Sequence, residues 1–265
     1  MEHLIYNYYI EKERKNIDLM ILVLLHELRV MTVKQIWGFI QTDLDVPLKT
    51  IRNHVSSLEE DSLMIASFLS SKDSKTRVYY LTYLGYSSIQ GYYPLPKVPE
   101  YNWYHSLSIN DAMLQTIEIV KDQENLRYIQ SERRQVYEIK DTEKNKHGRV
   151  FFVADYLLRF NGEDGQEINW YFEIELTIKT KKRYKKHVFV RYINYLLKHK
   201  EARLIYVSPS FIIQDELRKY RKEFEESIKD KETAKEIFSR FRILSWTNFQ
   251  TGLKKLIAED PHINW

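Results

Sequence analysis

"TVKQIWGFIQTDLDVPLKTIRNHVSSLEEDSLM" (Thr32–Met64) sets the reading of the first hundred residues. Thr32 with Gln35 three positions on has the spacing of a capping box, a side-chain seal on a helix start. Val33, Ile36, Trp37 and Ile40 then make one apolar stripe. After "LDVP" a second helix is expected, because Leu48, Ile51, Val55 and Leu58 recur at helical spacing. Its opposite side carries Lys49, Arg52, Asn53 and Ser56.

Upstream, "NIDLMILVLLHELRVM" is nearly all apolar with an acidic start and reads as a largely buried helix. Downstream, "MIASFL" and "TRVYYLT" flank the polar "SSKDSK", which signals a hairpin. Three helices followed by a basic-tipped hairpin is the order of a winged helix-turn-helix. Its third helix is the one that enters a major groove. Arg52 and Asn53 have the chemistry to read guanine or adenine edges, and Lys49 and Ser56 suit phosphate or sugar. Lys72, Lys75 and Arg77 would reach the backbone or minor groove from the wing. The competing reading is a winged helix that binds protein or dimerises, consistent with a near-neutral first half: residues 1–100 hold 11 Lys/Arg against 12 Asp/Glu.

The chain has 265 residues and no cysteine, so disulfides, thiolate chemistry and Cys-ligated metal sites are excluded. Its net charge of +4 resides in the second part. The opening "MEHLIYNYYIEKERK" does not read as a signal peptide. "LMILVLL" is far below membrane-spanning length, so no membrane partner and a cytoplasmic location are expected.

"QGYYPLPKVPEYNW" holds three of the six prolines and is the expected boundary. This gives a DNA-binding domain over 1–92, a linker over 93–102 and an α/β domain over 103–265. In the latter, "YHSLSINDAMLQTIEIVKDQENL" reads as a helix and "RYIQSERRQVYEIKD" as a strand and its exit. "VFFVADYLLRF" reads as a strand interrupted by Asp155, and "INWYFEIELT" as a strand with Glu173 and Glu175 on one face. A helix, a meander, a helix and a further strand make an α/β core of the PD-(D/E)xK nuclease-like type. Asp155, Glu173 and Glu175 are its candidate catalytic acids, with Asp155 and Glu173 the candidate metal ligands. Glu175 stands where that class carries lysine, and Lys179 is the nearest substitute. Mg2+ or Mn2+ enters only with an active site; otherwise no cofactor is expected. The eight histidines show no metal-ligand spacing. The run from Lys179 to Arg203, with ten Lys/Arg and one acid, is interleaved with Tyr184, Phe189, Tyr192 and Tyr195. The aromatics are assigned to the core and the lysines to DNA-backbone contact.

"VSSLEEDSLMIASFL…TRVYYLTYLGYSSI" resembles the winged helix-turn-helix of small bacterial DNA-binding regulators. Over nearly its full length the chain resembles the replication-relaxation family of plasmids and other mobile elements. The stretches that carry this are "YHSLSIND", "SERR", "VADYLLRF" and "YFEIELTIKT…RYINYL". They contain His105, Asn110, Glu132, Asp155, Glu173, Glu175, Thr177 and Tyr192. Ala154 stands where members carry a proline. The resemblance implies a mobile-element protein that binds double-stranded DNA, as a homodimer, in transcription, replication or transfer. Replication or relaxase proteins are the implied further partners. A metal-dependent endonuclease or nickase, and an adaptor working through protein contacts, are the alternatives.

Overall fold

The computed structural model describes residues 16–68, 76–91, 93–98, 103–142, 152–162, 165–260 and 263. The chain is a mixed α/β protein in two compact units. The first comprises residues 1–121 and 133–138, the second residues 122–132 and 139–265.

In the first unit, helix α1 (Ile17–Leu28) starts at Asn16, whose side chain accepts from Leu19 N–H at 3.1 Å; every residue from Met20 to Leu28 is buried. Strand β1 (Met31–Thr32) leads into α2 (Val33–Gln41). The capping box is present: Gln35 N–H donates to Thr32 Oγ1 at 3.2 Å, and Thr32 N–H donates to Gln35 Oε1 at 3.1 Å. Helix α3 (Leu48–Glu60) begins after Pro47, whose fixed φ suits a helix start, and buries Ile51, Val55 and Leu58. Strands β2 (Met64–Phe68) and β3 (Arg77–Leu81) pair antiparallel, Met64 opposite Leu81 and Phe68 opposite Arg77. β1 adds to β3, giving the order β1-β3-β2. A short helix, α4 (Tyr83–Ser88), follows. The stretch between β2 and β3 that holds Lys72 and Lys75 lies outside the described residues.

The units do not divide at the proline-rich stretch. Helix α5 (Trp103–Val120), expected in the second domain, belongs to the first unit. Its Asn110 is buried and donates to Val30 O at 2.8 Å, and Gln35 Nε2 donates to Leu107 O at 2.9 Å and Asp111 Oδ1 at 2.7 Å. Leu107 packs with Val30 and Val78. These pairings span more than 70 residues of chain, so no local periodicity could reveal them.

The second unit is built on a five-stranded sheet, β4-β5-β6-β7-β8. β4 (Leu126–Ser131), β5 (Tyr156–Asn161) and β6 (Glu167–Ile174) form an antiparallel meander. β7 (Ala202–Ser208) and β8 (Phe241–Ser245) continue it in parallel. After β4 the chain enters a helix, α6 (Glu132–Thr142), in place of the expected strand exit. "ERRQ" supplies strong helix formers and an acid in the first turn, where the helix dipole favours it.

Between β6 and β7 lie a single turn, α7 (Lys181–Arg183), a π-helical turn (Tyr184–Val188) and α8 (Phe189–Lys198). Helices α9 (Phe211–Ser227) and α10 (Lys231–Ser239) join β7 to β8, and α11 (Phe249–Glu259) follows. On one sheet face Leu157, Tyr171, Leu204 and Tyr206 pack with Tyr184, Phe189, Leu196, Leu217 and Phe238 from the helices. On the other, Tyr156 stacks on Phe172 at 4.4 Å and Phe172 meets Phe249 edge-on at 6.4 Å. The aromatics of the basic run are therefore core, as their spacing suggested. Among the described residues no helix is long and apolar enough to cross a membrane.

Candidate functional site

Two surfaces carry the residues singled out by sequence. The first is the outer side of α3. Lys49, Arg52, Asn53 and Ser56 are all exposed there, opposite the buried Ile51, Val55 and Leu58. His54 is turned away from that role: its Nδ1 meets Asp18 Oδ1 at 2.8 Å. Arg77 is exposed but engaged, pairing with Glu59 and lying 5.4 Å from the centre of the Tyr79 ring.

The second surface is a cavity of about 470 Å3 in the second unit. Asp155 sits one residue before β5, not within it. Its Oδ2 accepts from Ile174 N–H at 2.7 Å, so the carboxylate extends the β5–β6 pairing beyond the last strand residue. Burying a charge inside "FFVADYLL" would be costly, and this arrangement avoids it. Glu132 N–H donates to Asp155 O at 3.1 Å. The cavity is floored by Glu132, Asp155 and Glu173, and rimmed by Lys179, Arg183, His187 and Arg191.

Strand alternation turns Tyr171, Glu173 and Glu175 toward the helical layer, and each meets a tyrosine there. Tyr171 and Tyr195 share a hydroxyl–hydroxyl bond at 2.6 Å. Tyr192 donates to Glu173 Oε1, and Tyr184 donates to Glu175 Oε2 at 2.7 Å. Lys179 reaches back four residues to Glu175, which is 4% exposed and does not line the cavity. Of the three candidate acids, Asp155 and Glu173 line the cavity with Lys179, while Glu175 is held by Tyr184 and Lys179.

The π-helical turn makes this ladder possible. Phe189 N–H bonds Tyr184 O, five residues back, which inserts one extra residue into the helix. Eight residues of regular α-helix would leave Tyr184 and Tyr192 about 80° apart; the insertion brings them to within about 20°. The signal for these partners was the tyrosine spacing, which gives no hint of the inserted residue.

Burial, and next the negative charge of Asp155, push the Glu173 carboxyl well above its usual range, although part of the residue opens on the cavity. Burial, and next Glu173 itself, push the Tyr192 hydroxyl well up, so it stays a donor. A divalent ion such as Mg2+ is usually held by one or two carboxylates, with water completing its shell. Here Asp155 serves a backbone N–H and Glu173 accepts from Tyr192. Among the described residues no three His, Cys, Asp or Glu side chains group as a metal set.

A raised folded-state pKa means that Glu173 costs stability once it must ionise. Its stabilising protonated form is fully present below about 4.5 and is lost as pH rises through the folded-state value. Glu173→Gln keeps an acceptor for Tyr192 and removes the titration. Urea midpoints of the second unit are expected to coincide near pH 4 and to favour the variant increasingly at neutral and alkaline pH. Parallel curves from pH 4 to 9 would show that the carboxyl is not raised.

No protein family, curated protein or solved structure matches the chain.

Proposed function

We propose that the chain is a sequence-specific DNA-binding protein of a bacterial plasmid or other mobile element. In this reading the first unit acts as a winged helix-turn-helix, with α3 in the major groove and the β2–β3 hairpin as the wing. The second unit is a nuclease-like α/β fold whose acids are used for structure rather than cleavage. The protein acts as a homodimer on a two-fold site, in transcription, replication or transfer, with replication or relaxase proteins as further partners. The process and the partners rest on the resemblance to the replication-relaxation family.

The observation that carries the reading is the sorting of α3. Its apolar residues are buried, while Lys49, Arg52, Asn53 and Ser56 stand together in solvent, directly before an antiparallel hairpin. A purely structural helix has no need to gather a guanidinium and a carboxamide, the two groups that pair bidentately with base edges. The acid arrangement around Asp155, Glu173 and Glu175 supports the non-cleaving half of the proposal.

Selection of a binding site from random duplexes, followed by fluorescence anisotropy, tests it. Arg52→Ala is expected to cost about 1–3 kcal/mol at the selected site, roughly 5- to 150-fold, and to relax preference at one base pair. A wild-type chain that selects no sequence, or an Arg52→Ala chain that binds the selected site normally, would sink the assignment.

A further inference from the structure

The basic run does not treat its cations alike. Lys181 and Lys185 both pair with Glu223 on α9, and Lys179 pairs with Glu175. Arg183, His187 and Arg191 line the cavity and are exposed, and among the described residues none of them forms an ion pair. Three carboxyl groups floor the same cavity, yet two of them, Asp155 and Glu173, accept hydrogen bonds from Ile174 N–H and Tyr192. The π-helical turn that aligns Tyr184 with Tyr192 acts equally on the neighbouring pair: it brings Arg183 and Arg191, also eight residues apart, onto one side of the helix. Two arginines eight residues apart, with the His187 ring between them, spread positive charge over about 12 Å. That suits an extended polyanion better than a single small anion. Asp155 and Glu132, which line the same cavity, disfavour phosphate deep within it and leave the exposed arginines as the place for it.

We propose that Arg183, His187 and Arg191 form a track for the phosphate backbone of a nucleic-acid strand along the cavity rim. The track rests on the proposed DNA-binding function only in taking nucleic acid as the polyanion. It adds sequence-independent affinity in the second unit to whatever α3 reads.

The test uses the full chain with a random-sequence 20-mer, as duplex and as single strand, titrated by anisotropy across a salt series. Losing two phosphate contacts should lower the salt slope by about 1.8 for duplex and about 1.4 for single strand. At 0.1 M salt this is a loss of roughly 60-fold and roughly 25-fold for Arg183→Ala/Arg191→Ala. Arg183→Lys/Arg191→Lys should retain most of the affinity, and circular dichroism melting controls for folding. The decisive comparison is Lys182→Ala/Lys186→Ala, which removes the same charge from exposed positions that do not line the cavity. A clearly smaller loss there supports the track; an equal loss, or an unchanged slope in the arginine variant, overturns it. Normal track behaviour in a chain that selects no sequence leaves the track standing and removes the sequence-specific function. Binding of inorganic pyrophosphate that depends on Arg183 and Arg191, with no binding to either DNA, overturns the strand assignment.

Discussion

Glu27→Ala is expected to cost the first unit about 3–5 kcal/mol, or a fall of roughly 10–20 °C in its melting temperature. Glu27 in α1 and Arg134 in α6 are each 1% exposed, and their side chains pair directly. Removing the acid takes this partner from a buried guanidinium, and breaking a buried pair from one side is far worse than never having it. The matched control is Glu27→Leu with Arg134→Met, which replaces both partners by apolar groups of similar size. It should recover most of the loss, because such exchanges are often neutral or stabilising. Calorimetry on the full chain reads both. A loss under 1 kcal/mol for Glu27→Ala would mean that the pair is solvated in solution.

Acid should weaken the same unit by about 3 kcal/mol between pH 6.5 and about 4 through one side chain, His26. Burial, and then the charges of Arg133 and Arg134, hold its pKa down to about 4, against the opposing bond to Tyr93 O at 2.7 Å. The ring is fully buried and stacked on Tyr93 at 4.6 Å, and Arg133 donates to His26 O from the other side. A folded state that resists protonation has its full stability above the unfolded pKa of 6.5 and loses it as pH falls through the folded value. His26→Gln can still donate to Tyr93 O and does not titrate. The wild-type minus variant difference in urea midpoint should therefore shrink from pH 7 to 4. A constant difference would show that His26 protonates freely. This slope is opposite in sign to that expected from Glu173 in the second unit.

What was legible in the sequence follows the range of the interaction. The capping box of Thr32 and Gln35, the sorted faces of α3 and the alternation of β6 are each set within a few residues, and each was readable. So was the aromatic stripe under the basic run, because burial on a helix leaves a period. The allegiance of α5 was not, since Asn110 and Gln35 find their partners more than 70 residues away. The acid cluster was half legible. Residue type and spacing pointed to Asp155, Glu173 and Glu175, but whether a carboxylate is open or occupied depends on what faces it. Tyr184 and Tyr192 face these acids together because one extra residue is wound into the following helix. A count of lysines and arginines likewise does not tell which of them are paired, as Lys181 and Lys185 are with Glu223.

Residues 133–138 count with the first unit although the chain has already entered the second at Asp122. A fragment ending at Lys121 would carry Glu27 without Arg134 and would be an impaired version of that unit, not a portable module. Recombination at a single point near the proline-rich stretch would therefore not yield an intact first unit on a new body. A working graft has to carry the six-residue return segment with it, which ties the inheritance of the two units together.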